Sequence, residues 1–217
     1  MRIAHVSDMH GGYKILDQVK EPPDLWVFTG DIFPYMGYDH HSVWGKPTFE
    51  IPHQMRWYTY KGSSIVRRLR GKPVLLVPGN HDFADLAMLL RRDGVDAQEV
   101  TPEGVDFRGV RFAGFGHIPH IGGQWNREVF IPELRDLSLR TLTEGNPEVL
   151  LTHAPPGHIL GGCHPGNGPL LSLLTHHPHR VSVHLFGHIH ETGMRHVEHM
   201  GVHFYNSATG VQIIDLP

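Results

Sequence analysis

Short hydrophobic runs recur along the chain, and most are bounded by proline, glycine or charged residues. Residues 73–77 are typical, because the run opens with a proline, continues as Val-Leu-Leu-Val and stops at Pro78 and Gly79. Apolar runs of this length with such boundaries predict buried β-strands. On this basis strands are predicted at residues 2–6, 24–29, 73–77, 105–107, 110–113, 149–152, 181–186, 202–205 and 211–214.

Between these runs, hydrophobic residues recur at helical spacing. Leu86, Leu89 and Leu90, for example, share one face of a helix. The spacing predicts helices at residues 13–20, 83–92, 133–144 and 169–176, and another that begins after Pro52 and ends at Gly71. Strands that alternate with helices are typical of an α/β protein. No repeat, linker or low-complexity stretch divides the chain, so we expect a single domain over residues 1–217.

Residues 33–60 form an aromatic-rich insertion with three prolines that we expect to interrupt regular structure: Pro34, Pro47 and Pro52. Two interpretations are open. Either the rings pack on each other and on the flank of the domain, or they form a lid over a substrate. The lid interpretation predicts that Tyr35 or Trp44 lies beside the functional site.

Side chains able to bind a metal open the loops after five of the predicted strands. In chain order they are Asp8 with His10, Asp31, Asn80 with His81, His153, and His188 with His190. Taken singly, each of these could equally be a polar surface residue, a turn residue or a buried histidine. Parallel strands joined by helical crossovers return to the same edge of a sheet, however, so the five loops should converge. Carboxylates, an amide oxygen and imidazoles at one edge predict a site for two divalent ions.

The loop at residues 78–82 combines three kinds of chemistry. Asn80 offers a neutral oxygen to a cation, His81 can give or take a proton near neutral pH, and Asp82 can orient that imidazole. On its own the loop does not exclude a turn capped by Asn80 and Asp82. Because four other polar loops are expected beside it, we interpret His81 and Asp82 as candidate catalytic residues.

Together the five motifs resemble the signature of the calcineurin-like metallophosphoesterases. The signature is present as Asp8-Met9-His10, Gly30-Asp31, Gly79-Asn80-His81-Asp82, His153 and Gly187-His188-Ile189-His190. The resemblance implies a four-layer α/β/β/α sandwich with two metal ions. It implies two ligand sets and one bridging residue: Asp8, His10 and His190; Asn80, His153 and His188; and Asp31 as the bridge. It also implies that His81 contacts the phosphate and protonates the leaving oxygen, with Asp82 orienting His81.

The implied reaction is metal-dependent hydrolysis of a phosphate ester, which we expect to proceed by attack of metal-bound hydroxide. Protein serine/threonine phosphatases of this superfamily carry an arginine shortly after the Gly-Asp motif, and residues 32–35 lack one. This departure argues against a protein phosphatase. Residues 152–157 and 187–191 are similar to short phosphodiesterase-like members, some of which accept cyclic nucleotides. We therefore expect a phosphodiester or nucleotide-like small molecule as substrate.

The aromatic insertion would suit such a substrate, because nucleobases stack on aromatic faces. The alternative is that the same rings belong to the hydrophobic core. His117, in the loop after residue 113, is a further candidate to border the pocket, although solvated histidines are commoner in such loops. The candidate substrate contacts are Tyr35, Trp44, Asn80, His81 and His117.

Composition narrows the class of protein. The formal net charge of −3 provides no basic field for nucleic acid. A single cysteine, Cys163, excludes an internal disulfide framework and fits a reducing compartment. The N-terminal apolar run is too short for a signal peptide, and no stretch has the length of a membrane span. We expect a cytoplasmic protein without a membrane partner, as a monomer or an oligomer.

Histidine is the exception in this composition, with 20 residues in the chain. Imidazole suits transition metals, and mixed oxygen and nitrogen ligands are compatible with manganese, iron, zinc or cobalt. Two other functions remain open: a non-catalytic scaffold that kept the fold, and a metal-storage protein suggested only by the histidine count. The intact motifs argue against the first, and ligands placed on separate strands argue against the second.

Overall fold

The computed structural model describes residues 1–37, 45–164 and 166–216, so the predictions for Trp44 lie outside the described residues. Its strands are β1 (Arg2–Ser7), β2 (Leu25–Phe28), β3 (Val74–Leu76), β4 (Ala97–Glu99), β5 (Val105–Phe107), β6 (Val110–Phe115), β7 (Ile118–Pro119), β8 (Glu128–Val129), β9 (Val149–Thr152), β10 (Val183–Phe186), β11 (Arg195–His199), β12 (Val202–Asn206) and β13 (Gly210–Asp215). Its α-helices are α1 (Pro47–Leu69), α2 (Leu86–Arg92), α3 (Ile131–Arg140) and α4 (Gly168–His176).

The strands form two main sheets, each with a parallel centre. In the first, the order is β13-β1-β2-β3-β4, with β1 to β4 parallel and β13 antiparallel at the edge. In the second, the order is β11-β12-β10-β9-β6-β5, with the middle four parallel and β5 and β11 antiparallel. Strands β7 and β8 pair separately. Each parallel centre therefore collects the loops that follow its strands at one edge.

The hydrophobic core is arranged in layers by these sheets. Ile3, Val27 and Leu75 of the first sheet share one cluster with Leu151 and Leu185 of the second. The other face of the first sheet packs against α1 and α2, and the other face of the second packs against α4. The mixed α/β prediction is confirmed, and this distribution of the core supports the predicted α/β/β/α order of layers.

Helix α1 begins earlier than predicted. Pro47 lies in its first turn, where the missing N–H would have no helical partner, and Pro52 lies inside the helix. The prediction that these two prolines interrupt regular structure was therefore wrong. Burial of Tyr58 and Ile65 against the first sheet compensates for the hydrogen bond that Pro52 removes.

Three of the described rings of the insertion belong to the core or pack against it. Phe33 and Tyr58 are buried between the first sheet and its helices. Trp57 packs against Phe33 with ring centroids 5.8 Å apart. Tyr35 instead contacts the rings of His10 and His81, at centroid distances of 5.4 and 4.7 Å. Packing on the flank thus accounts for Phe33, Trp57 and Tyr58, whereas Phe49 and Tyr60 are exposed.

The remaining differences concern short or irregular elements. Residues Tyr13–Gln18 form a 3₁₀ helix, and the helix predicted at 133–144 becomes α3 followed by a π-helical turn at Thr141–Gly145. Strands β4, β7 and β8 are too short for a periodic signal, and every residue of β11 is exposed, so that no buried face marks it. None of the described helices has both the length and the hydropathy needed to cross a membrane.

Candidate metal centre

The loops after β1, β2, β3, β9 and β10 bring the predicted ligands together. Three groups could each hold a metal ion, because their ligand atoms lie within 4.8 Å of one another: Asp8, His10 and His190; His10, Asp31 and His81; and Asp31, His153 and His188. His10 and Asp31 each belong to two groups. The three groups therefore form one continuous cluster.

Asp31 lies at the centre of this cluster and is buried. Its Oδ1 accepts a hydrogen bond from the backbone N–H of His81 at 2.8 Å. Its Oδ2 lies 3.4 Å from Nε2 of His153, 3.8 Å from Nε2 of His81 and 3.9 Å from Nε2 of His10. One carboxylate oxygen thus faces three imidazoles, which suits a ligand shared between two cations.

Asp8 is the second buried carboxylate of the cluster. Its Oδ1 lies 3.2 Å from Nε2 of His190, and its Oδ2 accepts from the backbone N–H of His188 at 2.9 Å. Nε2 of His10 lies 3.3 Å from Nε2 of His190 and 3.9 Å from Oδ1 of Asp8. Two imidazole nitrogens that face one carboxylate oxygen are a suitable ligand set for a transition metal.

Hydrogen bonds orient the ring of His153. Its Nδ1 donates to the carbonyl oxygen of Thr29 at 2.7 Å, so that Nε2 faces Oδ1 of Asn80 at 2.9 Å. Burial lowers the pKa of His153, but the carboxylates of Asp31 and Asp8 and the hydrogen bond to Thr29 together raise the pKa to about 9. A metal ion bound here would displace the proton on Nε2 and balance the Asp31 carboxylate.

Both buried carboxylates stay charged because imidazoles surround them. Burial raises the pKa of Asp31, but His153 and His81 outweigh burial and bring the pKa well below its usual range. In Asp8, burial also raises the pKa, and the hydrogen bond to His190 helps to lower it overall. Buried carboxylates cost free energy unless positive charge compensates them. The donor atoms present therefore fit bound cations.

Four predicted ligands have left-handed backbone conformations, with φ of 54° at Asp8, 42° at His10, 55° at Asp31 and 70° at His188. Non-glycine residues adopt this conformation rarely, and it costs free energy. Such strain concentrates at functional sites because the surrounding contacts maintain it. Its presence in four ligands is consistent with a site whose geometry matters more than local stability.

Two motif glycines are required by close approach to these ligands. A Cβ at Gly79 would overlap the carboxylate of Asp31, and a Cβ at Gly187 would overlap Ser7 and the carboxylate of Asp8. Any side chain at either glycine would therefore displace a carboxylate of the cluster. This contact explains why glycine precedes Asn80 and His188 in the two motifs.

His81 is enclosed by aromatic rings. Its ring centroid lies 4.3 Å from that of Trp125, 4.7 Å from that of Tyr35 and 5.0 Å from that of His10. Its Nδ1 is buried and has no hydrogen-bond partner among the described residues. Burial lowers the pKa of His81 to about 4, so the imidazole is neutral near pH 7. A phosphate beside it would oppose this shift, because negative charge stabilises the imidazolium.

The predicted contact of Asp82 with His81 is not among the hydrogen bonds of the described residues. Oδ1 of Asp82 accepts from the backbone N–H groups of Ile32 and Phe33 at 2.9 and 3.0 Å, and its Oδ2 accepts from that of Gly79 at 2.9 Å. The carboxylate is buried, and this burial raises its pKa. Asp82 therefore ties the loop after β2 to the loop after β3, and its role is structural support.

An open pocket of about 280 Å³ borders the cluster, and its lining includes Tyr35, Ile121 and Trp125. His117 lies outside the lining and packs against Phe115 at a centroid distance of 6.4 Å. The structure thus places His117 outside the lining of this pocket. Pairing of β7 with β8 turns the chain after His117, so that later residues of the loop reach the pocket.

Helix α1 supplies two buried polar side chains that the sequence predictions missed. Gln54 donates to the carbonyl oxygen of His81 at 2.6 Å and accepts from the N–H groups of Phe83 and Ala84, each at 2.9 Å. Glu50, one turn earlier, accepts from two backbone N–H groups of the preceding segment. Two polar residues at i and i+4 on the buried face of a helix are the signal that identifies them.

Comparison with known families agrees with this geometry. A model of the calcineurin-like phosphoesterases matches residues 1–192, which include every loop of the cluster. Comparison with curated proteins gives no match. Because the family model covers most of the 217 residues, the chain belongs to the calcineurin-like phosphoesterases, a family of generally metal-dependent phosphoesterases.

Proposed function

We propose that this protein hydrolyses a phosphate ester with two divalent metal ions. The ligands are the two predicted sets and their bridge: Asp8, His10 and His190; Asn80, His153 and His188; and Asp31. Manganese, iron, zinc and cobalt all suit such mixed oxygen and nitrogen ligands. The substrate is a small molecule, with a phosphodiester or nucleotide-like ester favoured.

The position of Asp31 carries this proposal. A structural carboxylate can be satisfied by backbone N–H groups alone, as Asp82 is. Oδ2 of Asp31 instead faces His10, His81 and His153 from three separate loops. Asp31 also belongs to two of the groups that could hold an ion. These contacts support its role as the bridge between the two ligand sets.

The bound ions and His81 would have different roles in the reaction. When bound, the ions would clamp the phosphate, lower the pKa of a nucleophilic water and neutralise the developing charge. His81 borders the pocket beside the ligands, and no carboxylate pairs with its Nδ1 among the described residues. The negative charge of a bound phosphate would raise the pKa of His81 and favour its protonated form. The imidazolium would then supply the proton that the leaving oxygen needs.

The surroundings of the cluster favour a small organic ester. Tyr35 and Trp125 line the pocket with aromatic rings, which suit a planar leaving group. The residues after Asp31, where protein phosphatases carry arginine, are Ile32 and Phe33, and both are buried in the core. No cationic side chain is therefore available there to hold a phosphoprotein.

His81→Ala tests the assignment. The variant should keep both metals, as measured by elemental analysis, and should hydrolyse diphenyl phosphate about 10²–10⁴-fold more slowly, because phenolate leaves poorly without a proton. The matched control is Tyr60→Phe, at an exposed position of α1. Loss of metal with an unchanged rate would contradict the assignment.

A comparison of two chromogenic esters tests the proposed activity itself. Bis(4-nitrophenyl) phosphate and 4-nitrophenyl phosphate should report diester and monoester hydrolysis by wild type, with manganese and with a chelator. We expect manganese-dependent hydrolysis that is faster on the diester. Background rates on both esters with two metals bound would favour the non-catalytic scaffold instead.

A further inference from the structure

We infer that Trp125 is the positioning residue for the His81 imidazole, and that Glu128 holds the loop that places Trp125 there. The inference rests on the proposed function, because it assigns to this loop a part in proton donation by His81. It concerns residues 120–126, which contain none of the five motifs. We call these residues the tryptophan loop.

The backbone of His81 is held on both sides, but no hydrogen bond from the described residues holds its ring. Its N–H donates to Asp31 at 2.8 Å, and its carbonyl oxygen accepts from Gln54 at 2.6 Å. These bonds leave the two side-chain torsions free. Because Nδ1 has no partner among the described residues, the direction of the ring depends on packing.

Among the described residues, Trp125 makes the closest ring contact with His81. The two centroids are 4.3 Å apart with the planes at 59°, whereas Tyr35 lies at 4.7 Å and His10 at 5.0 Å. Loss of the indole would leave one side of the imidazole without a packing partner. A catalytic group displaced by about 1 Å can lose a factor of about 10² in rate.

Glu128, in the strand that follows the tryptophan loop, holds that loop through its side chain. Its Oε2 accepts from the backbone N–H groups of Ile121, Gly122 and Gly123 at 2.7, 2.9 and 2.8 Å, and its Oε1 accepts from that of Trp125 at 2.9 Å. The carboxylate side chain is 3% exposed. Four N–H groups converge on one buried carboxylate, so this side chain determines the path of the loop.

Asn126 joins the tryptophan loop to the loop that carries His81. Its side chain donates to the carbonyl oxygen of Asp82 at 2.6 Å, and its backbone N–H donates to the carbonyl oxygen of Asn80 at 3.1 Å. The two loops are thus connected on either side of His81. Glu128, Trp125 and Asn126 together set the position of the indole relative to the imidazole.

The test compares two diesters whose leaving groups differ in their need for a proton. Trp125→Ala should lower kcat on diphenyl phosphate by about 10–100-fold, and kcat on bis(4-nitrophenyl) phosphate much less. Trp125→Phe should restore most of the loss, and Glu128→Gln should show the same selective loss. In a His81→Ala background, Trp125→Ala should cost nothing further in kcat, because both substitutions act through one proton donor.

Two control variants distinguish positioning from general damage. Gln124→Ala changes an exposed neighbour in the same loop, outside the pocket lining, and Glu133→Gln changes an exposed carboxylate of α3. Both should match wild type on both esters. A simple pocket wall at Trp125 would raise KM for both esters and leave the ratio of their kcat values unchanged, and that result would refute the inference.

A readout independent of activity is the NMR resonance of the His81 Cε1 proton, assigned by its loss in His81→Ala. The ring current of Trp125 should shift this resonance, and Trp125→Ala should move it toward the position of an unstacked histidine. An unmoved resonance would overturn the inference whatever the kinetics show. A shifted resonance in a metal-loaded protein that hydrolyses neither ester would overturn the proposed function, and with it the catalytic part of the inference.

Discussion

The pH dependence of stability provides a quantitative test of whether the imidazole of His184, in the second sheet, is buried in its neutral form. The hydroxyl of Thr152 donates to the carbonyl oxygen of Ala154 at 2.7 Å, so it must accept at 2.7 Å from Nε2 of His184. The opposite nitrogen, Nδ1, is buried without a hydrogen-bond partner among the described residues, and Phe186 packs on the ring at a centroid distance of 5.0 Å. A second proton on this imidazole would be a buried charge without an acceptor.

The magnitude follows from the pKa difference between the folded and unfolded chain. Burial lowers the pKa of His184 from 6.5 to about 3. The unfolded chain therefore binds the extra proton between these values, and the stability that is fully present above pH 6.5 is lost as the pH falls toward 3. Acidification from pH 8 to pH 5 should cost about 2 kcal/mol of unfolding free energy through His184 alone.

The assay is urea unfolding of wild type and His184→Gln at pH 8 and pH 5, in chelator. His184→Gln removes the titration. Its deficit in unfolding free energy relative to wild type should therefore be about 2 kcal/mol smaller at pH 5 than at pH 8. The control is Phe112→Leu, a packing variant between the sheets, whose deficit should be the same at both. An equal deficit of His184→Gln at both pH values would refute the argument that a neutral imidazole is buried here.

Two further predictions concern the loops of the cluster. Asp82→Asn should lower the free energy of unfolding in urea by about 1–3 kcal/mol, because an amide cannot accept from all three backbone N–H groups that the carboxylate holds. An unchanged free energy of unfolding would contradict the supporting role of Asp82. Gly187→Ala should weaken metal binding about 10–100-fold in competition with a chelator, since its Cβ would displace the Asp8 carboxylate. Gly168→Ala, where a Cβ meets nothing within 4 Å and the backbone φ is not positive, should bind metal normally.

The ligand positions were accessible from the sequence because each follows a buried strand. Asp8, Asp31 and His153 come directly after β1, shortly after β2 and directly after β9, and parallel pairing brings those strand ends together. A short apolar run and the polar residue after it are both local features. The division of the strands between two sheets is not local, since it depends on which runs pack against each other.

The partner of Asp82 could not be predicted in the same way. Its position next to His81 suggested a contact, but consecutive side chains in a turn point in different directions. The carboxylate instead meets N–H groups of Ile32 and Phe33, which are distant in the chain. Trp125 illustrates the same limit, because only the folded positions of two loops bring it to His81.

The acidic residues around the site differ in how their two oxygens are used, and this difference separates ligands from supports. Asp8 and Asp31 each give one oxygen to a backbone N–H and keep the other facing imidazoles. Asp82 and Glu128 give both oxygens to backbone N–H groups, and neither has an oxygen left toward a ring of the cluster. The strained loops at these strand ends need such internal acceptors to hold their shape. Residue type alone therefore cannot assign a carboxylate to the metals, and its hydrogen-bond partners can.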